Sequence, residues 1–466
     1  MIRRTISHHW ILNKSLRCLL AAAIMLALIA CRASESQRAR NERPNIIYIM
    51  ADDLGYADLS GYGRTSYSTP ALDKLASEGT RFTHAYAIAP VCTPTRVGLM
   101  TGQYPERHRA GLWEPLRTKF KGEGLDPALP TLARRLADAG YHTGLVGKWH
   151  LGRERGFWPN DHGFARWFSI LSGAADYTIH RATEPESPAG PHDLYQDGKE
   201  VHAEGYLTDM FTDQAEVFLR SATQPFFLNL EYSAPHWPWQ QRGDAPYPND
   251  KNPSTYGGSA DIYAGMMKAL DEGVARVLAV LDELGYARNT IVVFTSDNGG
   301  EIFSDMGGLE GMKLQLWEGG IRVPAFVRWP GQIPAGRTTE QVATTFDWTA
   351  TMLAAAGVAL GPELDGIDLL PHLRGNAGLT ERTIFWRSNR WGLQHAVRQG
   401  YLKYLRIETP QARAKRRDKG EFLFDLSRDP RETENLAGSR PDVLERLKRL
   451  YAEWEAGVMQ AIEPVT

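Results

Sequence analysis

An α/β architecture follows from three features of this 466-residue sequence. Short, nearly uninterrupted apolar runs such as "NIIYIMA" and "TIVVFTS" end abruptly in polar residues, the pattern of strands buried on both faces of a parallel sheet. Stretches with helical periodicity separate these runs. Beyond about residue 375 the texture changes to antiparallel-looking strands and one closing helix. The predicted fold is a large, mostly parallel sheet sandwiched by helices, with a small C-terminal α+β subdomain.

Taken in order, the first 31 residues read as an export signal. Arg3, Arg4, Lys14 and Arg17 precede the apolar run "CLLAAAIMLALIA", which is too short for a membrane span. Leu28-Ile29-Ala30-Cys31 resembles a bacterial lipobox, so Cys31 is expected to carry a lipid anchor to the membrane and residues 32–43 to form a polar tether. The expected location is exported, as a periplasmic or outer-membrane bacterial lipoprotein. A main domain is expected over 44–374. Its first strand covers 46 to 50 and stops at two acids, and "PALDKLASEG" follows as a helix. A helix with Leu132, Leu136 and Ala139 on one face leads to a strand through Val146. "PFFLNLEYSAPH" is the next strand. A long helix from about Asp261 to Leu284 buries Met266, Leu270, Val277 and Leu281 and stops at Gly285. "TIVVFTSDNGG" and "GIRVPAFVRWPG" complete the sheet. The segments 152–202 and 237–258 are expected to be loops of a length usually kept for function. Residues 375–466 form the subdomain, with "IFWRSNRWGLQHAVRQGYLKYLRI" and "EFLFDLSRDP" as strands and "RPDVLERLKRLYAEWEAGV" as a helix.

Composition sets limits on function. With 42% hydrophobic and 23% charged residues and a net charge of −2, the chain is ordinary globular protein with no basic field to attract nucleic acid. The dense basic run Arg413-Ala414-Lys415-Arg416-Arg417 reads as a solvated loop. Of the three cysteines, Cys18 leaves with the signal and Cys31 carries lipid, so Cys92 has no partner for an intramolecular disulfide.

Ligands of parallel sheets bind beyond the carboxyl ends of the strands, and those ends carry an unusual set here. Asp52-Asp53 follow the first strand, Lys148 and His150 follow "GLVG", His236 follows "FFLNLEYSAP", and Asp297-Asn298 follow "TIVVFTS". A single aspartate after a strand commonly caps a helix. Two acid-bearing pairs, both at strand exits, suit an oxygen-ligated hard cation, Ca²⁺ or Mg²⁺. His150 and His236, not at zinc-ligand spacing, suit acid/base work beside it. Pro94 fits the first turn of a helix, which places Cys92 at or near the cap, where anions are favoured, and Arg96 one turn along. On spacing alone Cys92 could be a low-pKa thiolate, although a lone thiol beside a hard cation suits an oxidising compartment poorly.

Cys92-Thr93-Pro94-Thr95-Arg96, followed by "GLMTG", resembles the signature of the sulfatase family of arylsulfatase and polysaccharide-sulfatase type. "PNIIYIMADDLGY", "GYHTGLVGKWHLG", "SAPHWPW", "FTSDNGG", "GMKLQLWEGGIRVP" and "FDLSRDPRETENLA" look like its successive blocks, in order. The resemblance implies an alkaline-phosphatase-like fold. It implies that a formylglycine-generating enzyme, or an equivalent maturase, oxidises Cys92 to formylglycine. The aldehyde hydrate would then be the nucleophile, with one Ca²⁺ held by Asp52, Asp53, Asp297, Asn298 and the modified residue 92. Arg96 and Lys148 would steady that residue. Asp297 would serve as base for attack on sulfur, His236 and Lys313 would neutralise sulfate and protonate the departing alcohol, and His150 would deprotonate the second hydroxyl to expel sulfate. The expected substrate is a sulfated oligo- or polysaccharide. A phosphodiesterase or phosphonate monoester hydrolase of the same fold is the enzyme alternative. A non-catalytic glycan-binding lipoprotein is the other, should Cys92 stay unconverted. His395 could reach the pocket or be a satisfied strand residue, and Trp237 and Trp239 could stack on sugar or simply pack.

Overall fold

The computed structural model describes residues 43–187, 189–390, 392–409 and 419–460. The expected signal, the lipobox and nearly all of the tether lie outside the described residues, as does the basic run 413–417. No described helix is long and apolar enough to cross a membrane.

The large sheet is built around strands whose side chains are buried on both faces. Strands β1 (Asn45–Ala51), β2 (Thr80–Tyr86), β3 (His142–Lys148) and β4 (Arg166–Ile170) are followed by the short β5 (Tyr195–Gln196) and β6 (Lys199–Glu200). Next come β7 (Phe226–Glu231), β8 (Thr290–Ser296), β9 (Arg322–Arg328), β10 (Arg337–Thr339) and β11 (Ala343–Thr344). The order across the sheet is β10-β2-β9-β8-β1-β7-β3-β4-β5-β6, with β11 also on β2. The central run β8-β1-β7-β3-β4 is parallel.

Alternation along each strand feeds two cores. On β1, Ile47, Ile49 and Ala51 join one cluster, while Ile46, Tyr48 and Met50 join the other. The first core is closed by α1 (Pro70–Ser77), α4 (Leu207–Ser221) and α5 (Ala260–Glu283). The second is closed by α2 (Cys92–Thr101), α3 (Leu132–Asp138) and α6 (Thr345–Ala355). Helix α5 starts where the Ser259 hydroxyl accepts the Ile262 N–H at 3.1 Å and stops before Gly285 at φ 70°.

The expected antiparallel appendage is present. Strands β12 (Thr383–Ser388), β13 (Gln394–Gln399), β14 (Leu402–Ile407) and β15 (Gly420–Asp425) form a four-stranded sheet, and α7 (Pro441–Val458) packs on it. Trp386, Leu405 and Phe424 from this sheet share a core with Tyr86, Trp317 and Phe346 of the main body.

Three details depart from the sequence reading. Strand β9 runs antiparallel to both β8 and β2. The described connection from β8 holds no long helix to carry the chain back across the sheet, so the strand returns alongside its predecessor. The segment 152–202, expected to be loop, contains β4, β5 and β6. Ala139 caps α3, and Ala133 takes the buried place beside Leu132 and Leu136.

Candidate functional site

The carboxyl ends of four adjacent parallel strands, β8, β1, β7 and β3, make the site. Register brings their exits level: Ala51 pairs with Ser296, and Glu231 pairs with both Met50 and Gly147. The residues that follow, Asp52-Asp53, Asp297-Asn298 and Lys148, therefore meet although they are far apart in sequence. All are buried. Asp53 at φ 64° and His150 at φ 56° occupy the left-handed region, which non-glycine residues adopt only when their surroundings impose it.

Cys92 is the first residue of α2, with Val91 as the N-cap in extended conformation. Arg96 is one turn along the same helix, and its guanidinium binds three strand exits together. Nη1 donates to Glu231 Oε2 at 2.9 Å and to Lys148 O at 3.0 Å; Nη2 donates to Asp297 Oδ2 at 3.1 Å. Lys148 Nζ donates to Asp52 Oδ2 at 2.6 Å, and Lys313 Nζ to Asp53 at 2.7 Å. The Asp53 N–H reaches Asp297 Oδ1 at 3.1 Å, and Asn298 Nδ2 reaches Asp53 Oδ1 at 2.8 Å.

One donor atom from each of Asp52, Asp53, Cys92 and His236 lies within 4.8 Å of the others, a grouping able to hold a metal ion. Asp52 Oδ1 and Asn298 Oδ1 are buried and accept no hydrogen bond. Unpaired oxygens among clustered carboxylates leave negative potential that a hard cation satisfies. Titration of the acids follows the same field. Burial and the neighbouring Asp297 charge push Asp52 well up. Burial would also raise Asp297, but Arg96, Lys148 and Lys313 hold it below the ordinary carboxylate range.

The two histidines are held in defined tautomers by backbone carbonyls. His150 Nε2–H donates to Leu116 O at 2.8 Å, which leaves a buried, unpartnered Nδ1 lone pair. His236 Nδ1–H donates to Trp237 O at 2.5 Å, and Nε2 lies 3.6 Å from Asp53 Oδ2. Burial, then Lys148 and Arg96, lower His150 well below its usual value, and burial with Lys313 lowers His236. Lys313 keeps its charge: burial works against it, but Asp53 and other acids raise it further.

A cavity of about 260 Å³ opens over this floor, lined by Cys92, His150, His236, Trp237, Glu301 and Lys313. Asp52, Asp53, Cys92, Arg96, Lys148, His150, His236, Asp297, Asn298 and Lys313 thus lie at the cavity floor or in the hydrogen-bond and ion-pair network beneath it. Two aromatic alternatives resolve differently, since Trp237 lines the cavity whereas Trp239 is buried against Phe303 at 4.9 Å. His395 does not line the cavity. Its ring stacks on Tyr451 at 4.2 Å, on the face of the small sheet that α7 covers.

Glu231, the counter-ion of Arg96, escaped the sequence reading because it reads as the last residue of an apolar run. Its signal was an acid ending a strand otherwise wholly buried. Burial pushes it up to about 7 against the pull of Arg96. Arg117, Glu184 and Arg390 also line the cavity and carried no motif.

Comparison with known proteins agrees with this geometry. Residues 44–358 match the sulfatase family, and residues 312–455 match the C-terminal region of N-sulphoglucosamine sulphohydrolase. The chain is 32% identical over 400 residues to N-acetylgalactosamine-6-sulfatase of Canis lupus familiaris, an alignment covering 78% of this chain and 72% of that protein. It is 32% identical over 483 aligned residues to arylsulfatase A of Bos taurus, covering 92% and 89%. The crystal structure of Ps i-CgsB in complex with k-i-k-neocarrahexaose matches with a TM-score of 0.78 and 30% identity, over 89% of this chain and 93% of that one. This chain belongs to the sulfatase family, with its alkaline-phosphatase-like fold, and is a sulfuric ester hydrolase.

Proposed function

We propose that this enzyme removes sulfate from a sulfated oligo- or polysaccharide, using a formylglycine made from Cys92 by a maturase and one Ca²⁺. The observation that carries the reading is the placement of Cys92: it begins a helix, lies within 4.8 Å of the Asp52, Asp53 and His236 donors, and faces the cavity. Asp52, Asp53, Asp297 and Asn298 would hold the calcium, which when bound spreads negative charge on sulfuryl oxygens. A formylglycine hydrate at position 92 would supply one hydroxyl as nucleophile and a second from which a base could take a proton.

The remaining work falls to side chains of this chain. The free lone pair of His150 Nδ1 is available to accept a proton from a group at position 92. Lys313, held charged beside Asp53, supplies both a positive partner for sulfate and a proton for the departing alcohol. His236 presents Nε2 toward the same point. Arg96 and Lys148 hold the acids in place from below the floor. A carbohydrate is favoured because Trp237, Asn252, Ser254 and Thr255 line the cavity, offering an aromatic face and hydrogen-bonding groups suited to a sugar ring. The similarity to Ps i-CgsB, solved with a neocarrahexaose, points the same way. The lipobox-like Cys31 supports export and membrane anchoring of the enzyme.

The test is to purify the protein from its own host, weigh the peptide that contains Cys92, and assay sulfated oligosaccharides with calcium and with a chelator. An aldehyde in place of the thiol, and activity that returns with calcium, are expected. An intact thiol with glycan binding and no turnover would instead indicate the binding lipoprotein. Activity on phosphoryl esters restored by manganese or zinc would indicate the phosphodiesterase.

A further inference from the structure

The segment that delivers Lys313 to the site has little secondary structure of its own. Lys313 N donates to Gly300 O at 3.0 Å and Leu314 N to Pro90 O at 2.8 Å. Leu314 sits at φ 71°, left-handed for a bulky side chain and therefore dependent on outside constraint. Two further backbone groups of the segment are met by one side chain from the small sheet. Gln394 Nε2 donates to Leu314 O at 3.0 Å, and Leu316 N donates to Gln394 Oε1 at 3.0 Å.

Gln394 opens β13, is fully buried, and is fixed in register by pairing with Ser388 on one side and Ile407 on the other. Its primary amide turns one N–H donor and its carbonyl oxygen to the segment in one plane, as a neighbouring strand would. Both polar ends are consumed in clasping residues 314–316. The left-handed residue sits between the lysine and the second clasped group, so the clasp resists the backbone rotation that would withdraw Lys313.

We propose that Gln394 is a positioning residue for Lys313, through which the C-terminal sheet completes the active site of the main domain. The assay of this inference rests on the sulfate-ester reading above; the structural claim does not. In Gln394→Met, which keeps length but makes neither hydrogen bond, kcat on a sulfated substrate should fall about tenfold or more, with a smaller change in KM. In a Lys313→Ala background the same substitution should cost nothing further, because coupled residues are non-additive. Hydrogen exchange in the peptide spanning 312–317 should be about tenfold faster in Gln394→Met, with the melting of the remaining protein little changed. Should Gln394→Met fold poorly, Gln394→Glu keeps the acceptor for Leu316 and loses the donor to Leu314, and serves the same cycle. Fully multiplicative losses, or unchanged kcat with unchanged exchange at 312–317, would overturn the inference. An inactive parent enzyme would refute the functional reading instead, and the exchange measurement would still decide the role of Gln394.

Discussion

Arg96 shows how one side chain ties together the floor of a cavity. It is buried, yet both terminal nitrogens of its guanidinium are matched, to two carboxylates and a backbone carbonyl from three different strand exits. Removing either acid would strand a buried charge, which costs more than the pair contributes. A lysine has the same charge but lacks the planar fork that meets three acceptors at once. Arg96→Lys should therefore fold, keep its secondary structure by circular dichroism, and lose about a hundredfold in kcat/KM, as misplacement of reacting groups by about 1 Å does. A variant with near-normal kcat/KM would show that the guanidinium geometry is not required. The Arg96 partner Glu231 belongs to the same scale: it has no sequence motif and is legible only once its neighbours are in place.

At the scale of elements, β3 and β7 are held unusually close where they enter the site. Gly147 has φ 115°, and a Cβ there would lie 1.9 Å from Glu231 O. Only glycine allows β7 to approach at this point, and the next residue is Lys148. Gly147→Ala should push the strand ends apart and lower stability by at least about 2 kcal/mol, read as a lower midpoint in urea, with activity falling too. Gly378, where an added Cβ meets nothing within 4 Å and φ is not left-handed, provides the contrast. Gly378→Ala should stay within about 0.5 kcal/mol of the parent. Equal effects at the two positions would mean that strand approach is not what Gly147 protects.

Across the whole molecule, buried acids outside the site make stability depend on pH. Glu106 is buried with an unpartnered Oε2, and burial pushes its carboxyl from 4.5 up to about 8. Between those values the native protein keeps a proton that the unfolded chain gives up. The contribution is therefore fully present below about pH 4.5 and is lost as pH rises through about 8. Glu106→Gln cannot ionise, so its advantage over the parent in urea unfolding should be small near pH 5 and grow toward about pH 8. The growth should be about 1.4 kcal/mol for each unit of pH, the free energy of one proton held by the native state and not by the unfolded chain. A constant difference across that range would remove Glu106 as the source.

The strands and the polar residues at their carboxyl ends were legible in the chain alone, for a simple reason. Strands buried on both faces must be apolar throughout, and a parallel sheet gathers their carboxyl ends on one edge. Asp52-Asp53, Lys148 and Asp297-Asn298 therefore stand out as polar stops after apolar runs. What the sequence could not contain was the order β8-β1-β7-β3, which makes those four exits neighbours. That order comes from packing two cores against one sheet, a property of the assembled layers. The same limit appears on β13, where His395 drew attention as a titratable residue but Gln394 is the one that meets the segment carrying Lys313. Successive strand residues face opposite sides, and nothing short of the sheet's docking on the main body decides which side meets the lysine loop.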